Sequence, residues 1–249
     1  EALSYLSEHA GYTRRADDFD RDLMVIDRVE ALSGVKYEHR TSRAGDPHVH
    51  SHVLLANKQL CADGKWRTLD GMSLYHEARA AGTIYQATLR ETLAKQFGLA
   101  WSDVTNGCAE IAGLDDTKML KVFSTRANEI EKWREENSLD DQAVYERIGQ
   151  KKTRQTKDLD VSLDELERRW RALPEAEAAE AFVDTLDSAK AEGQTRTGAD
   201  AALPSVEEIL TAVVAERSTF TRADVVEKIA EMMPVGAVAP ADMLATIEH

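Results

Sequence analysis

Residues 48–57, HVHSHVLLAN, begin with a histidine at every second position: His48, His50 and His52. Alternation with that period places all three side chains on one face of an extended strand. Eleven residues before His50 lies His39, inside GVKYEHRT (34–41), where Val35, Tyr37 and His39 alternate in the same way. The Asp46-Pro47 pair between the two runs is a turn signal. Four of the chain's seven histidines thus fall within 39–52, on two strands joined by a short loop.

Neutral imidazole is the commonest nitrogen ligand for metals. Two same-face histidines on one strand and a third on its neighbour form a three-nitrogen face with open positions for water or substrate, the arrangement of catalytic rather than structural sites. A His-x-His pair alone fits the polar face of an edge strand equally well, and the additional strand histidine shifts the balance toward ligation. Parity does not separate His48, His50 and His52. His48 follows Pro47 directly and sits at the margin of the ladder.

The rest of the chain reads as α+β: an antiparallel sheet with flanking helices, then a helical C-terminal segment. Residues 2–13 read as a short helix ending near Gly11, RRADDFDRD (14–22) as a polar loop, LMVIDRV (23–29) as a strand, and a further short strand surrounds Trp66. Asp70 is placed to cap a long helix reaching Phe97, with Leu74, Ala78, Ala81, Tyr85, Leu89, Leu93 and Phe97 as its inward stripe. A second helix is expected after Asp115, with Met119, Phe123, Ile130 and Trp133 inward. Ser162–Glu165 and Ser205–Glu208 match the capping box, and Thr221–Asp224 is a looser version. Residues 193–204, with glycine and proline and no apolar period, are the expected linker between a domain at 1–192 and a helical segment at 205–249.

The formal charge of −14 argues against a protein that coats nucleic acid through bulk electrostatics. The charge is uneven, though. Residues 34–57 carry three basic and two acidic side chains, whereas 160–192 carry four basic and ten acidic. Two cysteines, Cys61 and Cys108, make neither a disulfide framework nor a zinc ribbon and point to a reducing cytoplasm. No stretch has the length and apolarity of a membrane span.

The stretch HRTSRAGDPHVHSHVLLAN (39–57) resembles the signature of the MobF-type conjugative relaxases, the TrwC/TraI group of the HUH endonucleases. There a lone histidine precedes Ser-Arg, then Asp-Pro, then His-x-His and a hydrophobic strand ending in Ala-Asn. DGKWRTLDGMSLYHEARAAGTIYQATLRETL, NGCAEIAG and FSTRANEIE continue the likeness. STFTRADVVEKIAE is similar to the start of the helicase region that follows the relaxase. The resemblance implies His39, His50 and His52 as the metal triad, leaves His48 beside it, and implies magnesium or manganese, where imidazoles alone suggest zinc, nickel or manganese. It implies single-stranded or hairpin DNA at a transfer origin as substrate, with relaxosome and coupling proteins as partners.

The same resemblance places the nucleophilic tyrosine and its acidic helper upstream of Glu1. None of the six tyrosines (Tyr5, Tyr12, Tyr37, Tyr75, Tyr85, Tyr145) stands in the nucleophile motif. The chain is therefore expected to bind metal without cleaving DNA, and a sheet lacking its first strands would expose an edge through which two copies pair. Arg43 beside the turn and the basic run containing Lys151, Lys152 and Arg154 are the candidate DNA contacts; a solvated helix face explains that run as well. Trp66, Trp101, Trp133 and Trp170 serve either to stack bases or to pack a core. Two other classes compete: a non-catalytic DNA-binding or interaction module around a structural ion, and a zinc hydrolase. The hydrolase is disfavoured because Val53 and Leu54 follow the His-Ser-His, and a metallo-β-lactamase pattern, His-x-His-x-Asp-His, needs Asp where Leu54 stands.

Overall fold

A computed structural model of the chain describes residues 1–112, 121–137, 161–173, 176–177, 179–181, 183–184 and 204–233. The elements are α1 (Ala2–His9), β1 (Tyr12–Ala16), β2 (Met24–Arg28), β3 (Gly34–Thr41), β4 (Pro47–Leu55), β5 (Lys58–Leu60), β6 (Trp66–Thr68), α2 (Gly71–Phe97), α3 (Thr125–Asn137), α4 (Leu163–Arg171), α5 (Val206–Glu216) and α6 (Arg222–Met232). The fold is mixed α and β, with the antiparallel sheet divided into three two-stranded pieces: β1-β2, β3-β4 and β5-β6. The chain separates into two compact units. One comprises 1–35, 54–112 and 188–249, and the other 36–53 and 113–187.

In the first unit β1 and β2 pair from Tyr12↔Arg28 to Ala16↔Met24. Strand β1 is a correction to the sequence reading, which had a short helix in 2–13 ending near Gly11 and left Arg14–Ala16 in a loop. Pairing decides it: residues 12–16 are all in register with β2, Thr13 is fully buried, and Arg14 and Arg15 pair with Asp70 and Asp27. A strand with charged outer positions looks like a loop until its partner is known. Isolated bridges Thr13↔Leu69 and Val29↔Cys61 connect the β1-β2 and β5-β6 ladders, and Val29, Cys61 and Leu69 form the small core beneath them. Both cysteines are free.

Asp70 caps α2 by accepting from the Met72 amide, and Gly98 closes the helix at φ 68°, a left-handed conformation natural to glycine. The buried face differs from the expected stripe. Ala80, Ala81, Thr83, Ile84, Arg90 and Glu91 are covered, whereas Ala78, Tyr85 and Phe97 face outward. The cause is tertiary: Tyr5 of α1 and Ala223 and Val226 of α6 pack on Ala80, Ala81 and Ile84. A small-residue patch lets helices approach closely where the larger stripe residues would hold them apart. Tyr5 is 1% exposed, and its hydroxyl donates to Glu77 over 2.6 Å.

Helices α5 and α6 pack on each other through Ile209, Val213, Ile229 and Ala230, with Ala87 of α2 against that cluster. Both begin with complete capping boxes, Ser205–Glu208 and Thr221–Asp224. Ser162 caps α4 by accepting from the Glu165 amide. The expected linker lies outside the described residues except for Pro204, as does Met119 of the expected second helix. Its partners Phe123, Ile130 and Trp133 are half-buried.

Candidate metal centre

The base of the β3-β4 hairpin is tied by one buried side chain. Gln59, fully covered, accepts from the Ser33 amide at 2.8 Å and donates to the Ser33 and Ala56 carbonyls at 3.0 and 2.6 Å. Those residues flank the hairpin on either side. Beyond its base the hairpin is thinly covered: from Gly34 to Asn57 Asp46 is the one buried residue.

His39 on β3 and His50 and His52 on β4 bring one ring nitrogen each to within 4.8 Å of one another. His39 meets both partners edge-on, with ring centroids 5.2 Å from His50 and 4.7 Å from His52. The Nε2 atoms of His50 and His52 stand 3.2 Å apart. An ion with bonds of ~2.1 Å holds two imidazole nitrogens ~3.0 Å apart at a right angle and ~3.4 Å apart at the tetrahedral angle. The spacing of that pair falls between, so His50 and His52 fit a shared divalent cation, with a His39 nitrogen within 4.8 Å of both.

The tautomer of His50 suits the same task. Its Nδ1 lies 2.8 Å from the carbonyl oxygen of His48. An acceptor there requires the proton on Nδ1, which leaves the Nε2 lone pair free for a ligand bond. His48 itself stacks on His50, with centroids 4.4 Å apart and planes at 21°. It is not one of the three converging nitrogens. The triad is half-buried at His39 and His50 and exposed at His52, which leaves one side open.

Two features escaped the sequence reading. Asp46, taken as a turn former, accepts from Ser42 and from Thr125 of α3. Trp170, considered for stacking or core packing, donates its indole N–H to the Gly45 carbonyl at 2.8 Å. Both partners are remote in sequence, and no local pattern announces them. Arg43 is exposed in the loop between the strands. Lys151, Lys152 and Arg154 lie outside the described residues, as does Tyr145. Among the described tyrosines Tyr37 shares β3 with His39 and is half exposed; Tyr5, Tyr12, Tyr75 and Tyr85 belong to the other unit.

A three-imidazole face on a hairpin, within this mixed α and β fold, is a candidate metal-binding site. The chain belongs to the TrwC relaxase family, whose model matches residues 1–178. It is similar to the structure of TrwC complexed with a 27-mer DNA comprising the recognition hairpin and the cleavage site, at 25% identity and TM-score 0.59 over 68% of this chain and 60% of that one. Conjugative relaxase TrwC with oriT DNA is similar in its metal-free form, at 25% identity and TM-score 0.61 over 68% and 59%. Its copper-bound form matches at 25% identity and TM-score 0.60 over 68% and 57%. The chain therefore spans about three-fifths of the length of these solved relatives. No curated protein matches it.

Proposed function

We propose that this chain is the metal-holding portion of a conjugative DNA relaxase, with His39, His50 and His52 as the ligands of a divalent cation. The convergence of three ring nitrogens within 4.8 Å on an open hairpin face carries the reading, and family membership supports it. The three imidazoles hold the cation from one side and leave the other to a DNA phosphodiester. When bound, that cation offsets charge on the non-bridging phosphate oxygens and aligns the attack. His50 contributes Nε2 because its Nδ1 proton is committed to the His48 carbonyl.

The metal is assigned by resemblance to magnesium or manganese; three imidazoles also suit zinc or nickel. The substrate is single-stranded or hairpin DNA at a transfer origin, and the setting is the cytoplasm, with relaxosome and coupling proteins as partners. Among the described residues no helix is long and apolar enough to cross a membrane. Arg43 and the run Lys151, Lys152 and Arg154 are assigned to the DNA backbone, and 1–192, 193–204 and 205–249 to relaxase domain, linker and the start of a helicase-like region. A homodimer through an exposed strand edge belongs to the same reading. No tyrosine of this chain is assigned as nucleophile. A structural ion is disfavoured because such sites close four protein ligands around the metal, and among the described residues three converge.

Calorimetric titration with Mn²⁺ and Zn²⁺ tests the centre. One ion should bind per chain, and His50→Ala should abolish it; unchanged binding in that variant would sink the assignment. An origin-type hairpin oligonucleotide should bind with an affinity that falls as salt rises. A DNA–protein adduct surviving denaturation would show that one of the six tyrosines attacks after all.

A further inference from the structure

We infer that Asp46 is a positioning residue for the metal centre: it locks the tip of the ligand hairpin onto helix α3 and so sets the spacing between His39 and the His50–His52 pair. The inference builds on the assignment of those histidines as metal ligands.

A two-stranded ribbon is marginal by itself in water, and most of β3 and β4 is exposed. The ligands sit on different strands, three residues before Ser42 and four and six residues after Asp46. A ligand set must hold its distances to within ~0.2 Å for a given metal, so twisting at the tip acts directly on the geometry.

Asp46 is 9% exposed. Its Oδ2 accepts from Ser42 Oγ at 3.1 Å and from the Thr125 amide at 3.2 Å; its Oδ1 accepts from Thr125 Oγ1 at 2.5 Å. Thr125 opens α3, so the carboxylate caps a helix that starts 79 residues further along the chain. Negative charge at a helix N-terminus is favourable in its own right. The donors leave no freedom in Ser42: its Oγ already accepts from the amides of Ala44 and Asp46, which commits its own proton to the Asp46 carboxylate. Backbone bonds from Ser42 N to Asp46 O and from Gly45 N to Ser42 O close the loop.

The neighbouring residue is held from a second helix. Gly45 has φ 87°, its carbonyl accepts from Trp170 of α4, and a Cβ built there would stand 3.3 Å from Leu166 Cδ2. Two helices therefore grip two consecutive residues of the turn, one through a carboxylate and one through a carbonyl. A carboxylate accepts from all three donors through two oxygens; in asparagine an NH2 group takes the place of one of those acceptors, so the set of bonds must rearrange.

Co²⁺ titration followed by its visible absorption, with circular dichroism as the fold control, tests the role. Asp46→Asn should weaken Co²⁺ binding about 10–100-fold, the range for groups that orient metal ligands, and should shift the absorption bands. Thr125→Ser keeps both donors and should bind like the unaltered chain; Thr125→Val removes one donor and should shift the bands even if Asp46→Asn fails to fold. Wild-type affinity and spectrum in folded Asp46→Asn or in Thr125→Val would overturn the positioning role alone. Failure of the unaltered chain to bind Co²⁺ would instead overturn the metal assignment beneath it.

Discussion

The two ring nitrogens of His50 face different partners, Nδ1 toward the His48 carbonyl and Nε2 toward His52. The first contact uses only the backbone of His48, so the imidazole of His48 is dispensable for setting the tautomer. His48→Ala should keep metal affinity within about threefold of the unaltered chain, whereas alanine at His39, His50 or His52 should lose more than the ~10–100-fold typical of an orienting group. The same titrations measure all four, and a loss at His48 equal to that at His50 would make it a fourth ligand. At this scale the sequence was informative but incomplete. Parity found the histidine face, yet only the paired strands distinguish a nitrogen that converges from a ring that stacks. Asp46 was visible as a turn residue and invisible as a cap, because its partner Thr125 is fixed by tertiary structure.

Elements were legible in proportion to how local their determinants are. Strands β3 and β4 appear where their alternation predicts them, and α2 begins and ends at Asp70 and Phe97 as its capping residues imply. Its buried face was misread because Ala80 and Ile84 are selected by α1 and α6, not by the helix itself. The Asp70 cap yields a prediction with a defined pH sign. A hydrogen bond from Ser73, then the Met72 amide and Arg14, hold its carboxyl below the usual carboxylate range. A depressed folded value contributes stability above the unfolded pKa of ~3.9 and loses it as pH falls through the folded value. Asp70→Ala should cost about 1 kcal/mol at neutral pH. That difference should shrink below about pH 4, within the same unfolded-carboxylate window. Denaturant melts at pH 7 and pH 3 check it, and a gap that widens in acid would contradict the cap's role.

For the whole molecule, ligation should appear as global stability, since an ion that binds only the folded chain stabilises it by mass action. At a metal concentration 100 times the dissociation constant the gain is ~2.7 kcal/mol. For a chain of this size that corresponds to roughly 5–10 °C in Tm. Chelator should reverse the shift and His50→Ala should remove it; a shift surviving in the variant would locate the ion elsewhere. The division into two compact units was not legible in the sequence. The boundary passes through β3 and β4, whose alternation runs unbroken, because it is drawn by contacts from segments far along the chain.

The bond from Thr125 to Asp46 spans 79 residues, and that from Trp170 to Gly45 spans 125. Contacts of such separation close late, after local hairpins and helices have formed. During synthesis all three histidines leave the ribosome long before the residues that brace their hairpin. A nascent chain thus passes through an interval in which it displays the proposed ligands without their final geometry. On that assignment, the order of assembly as well as the finished site would bear on which ion is taken up.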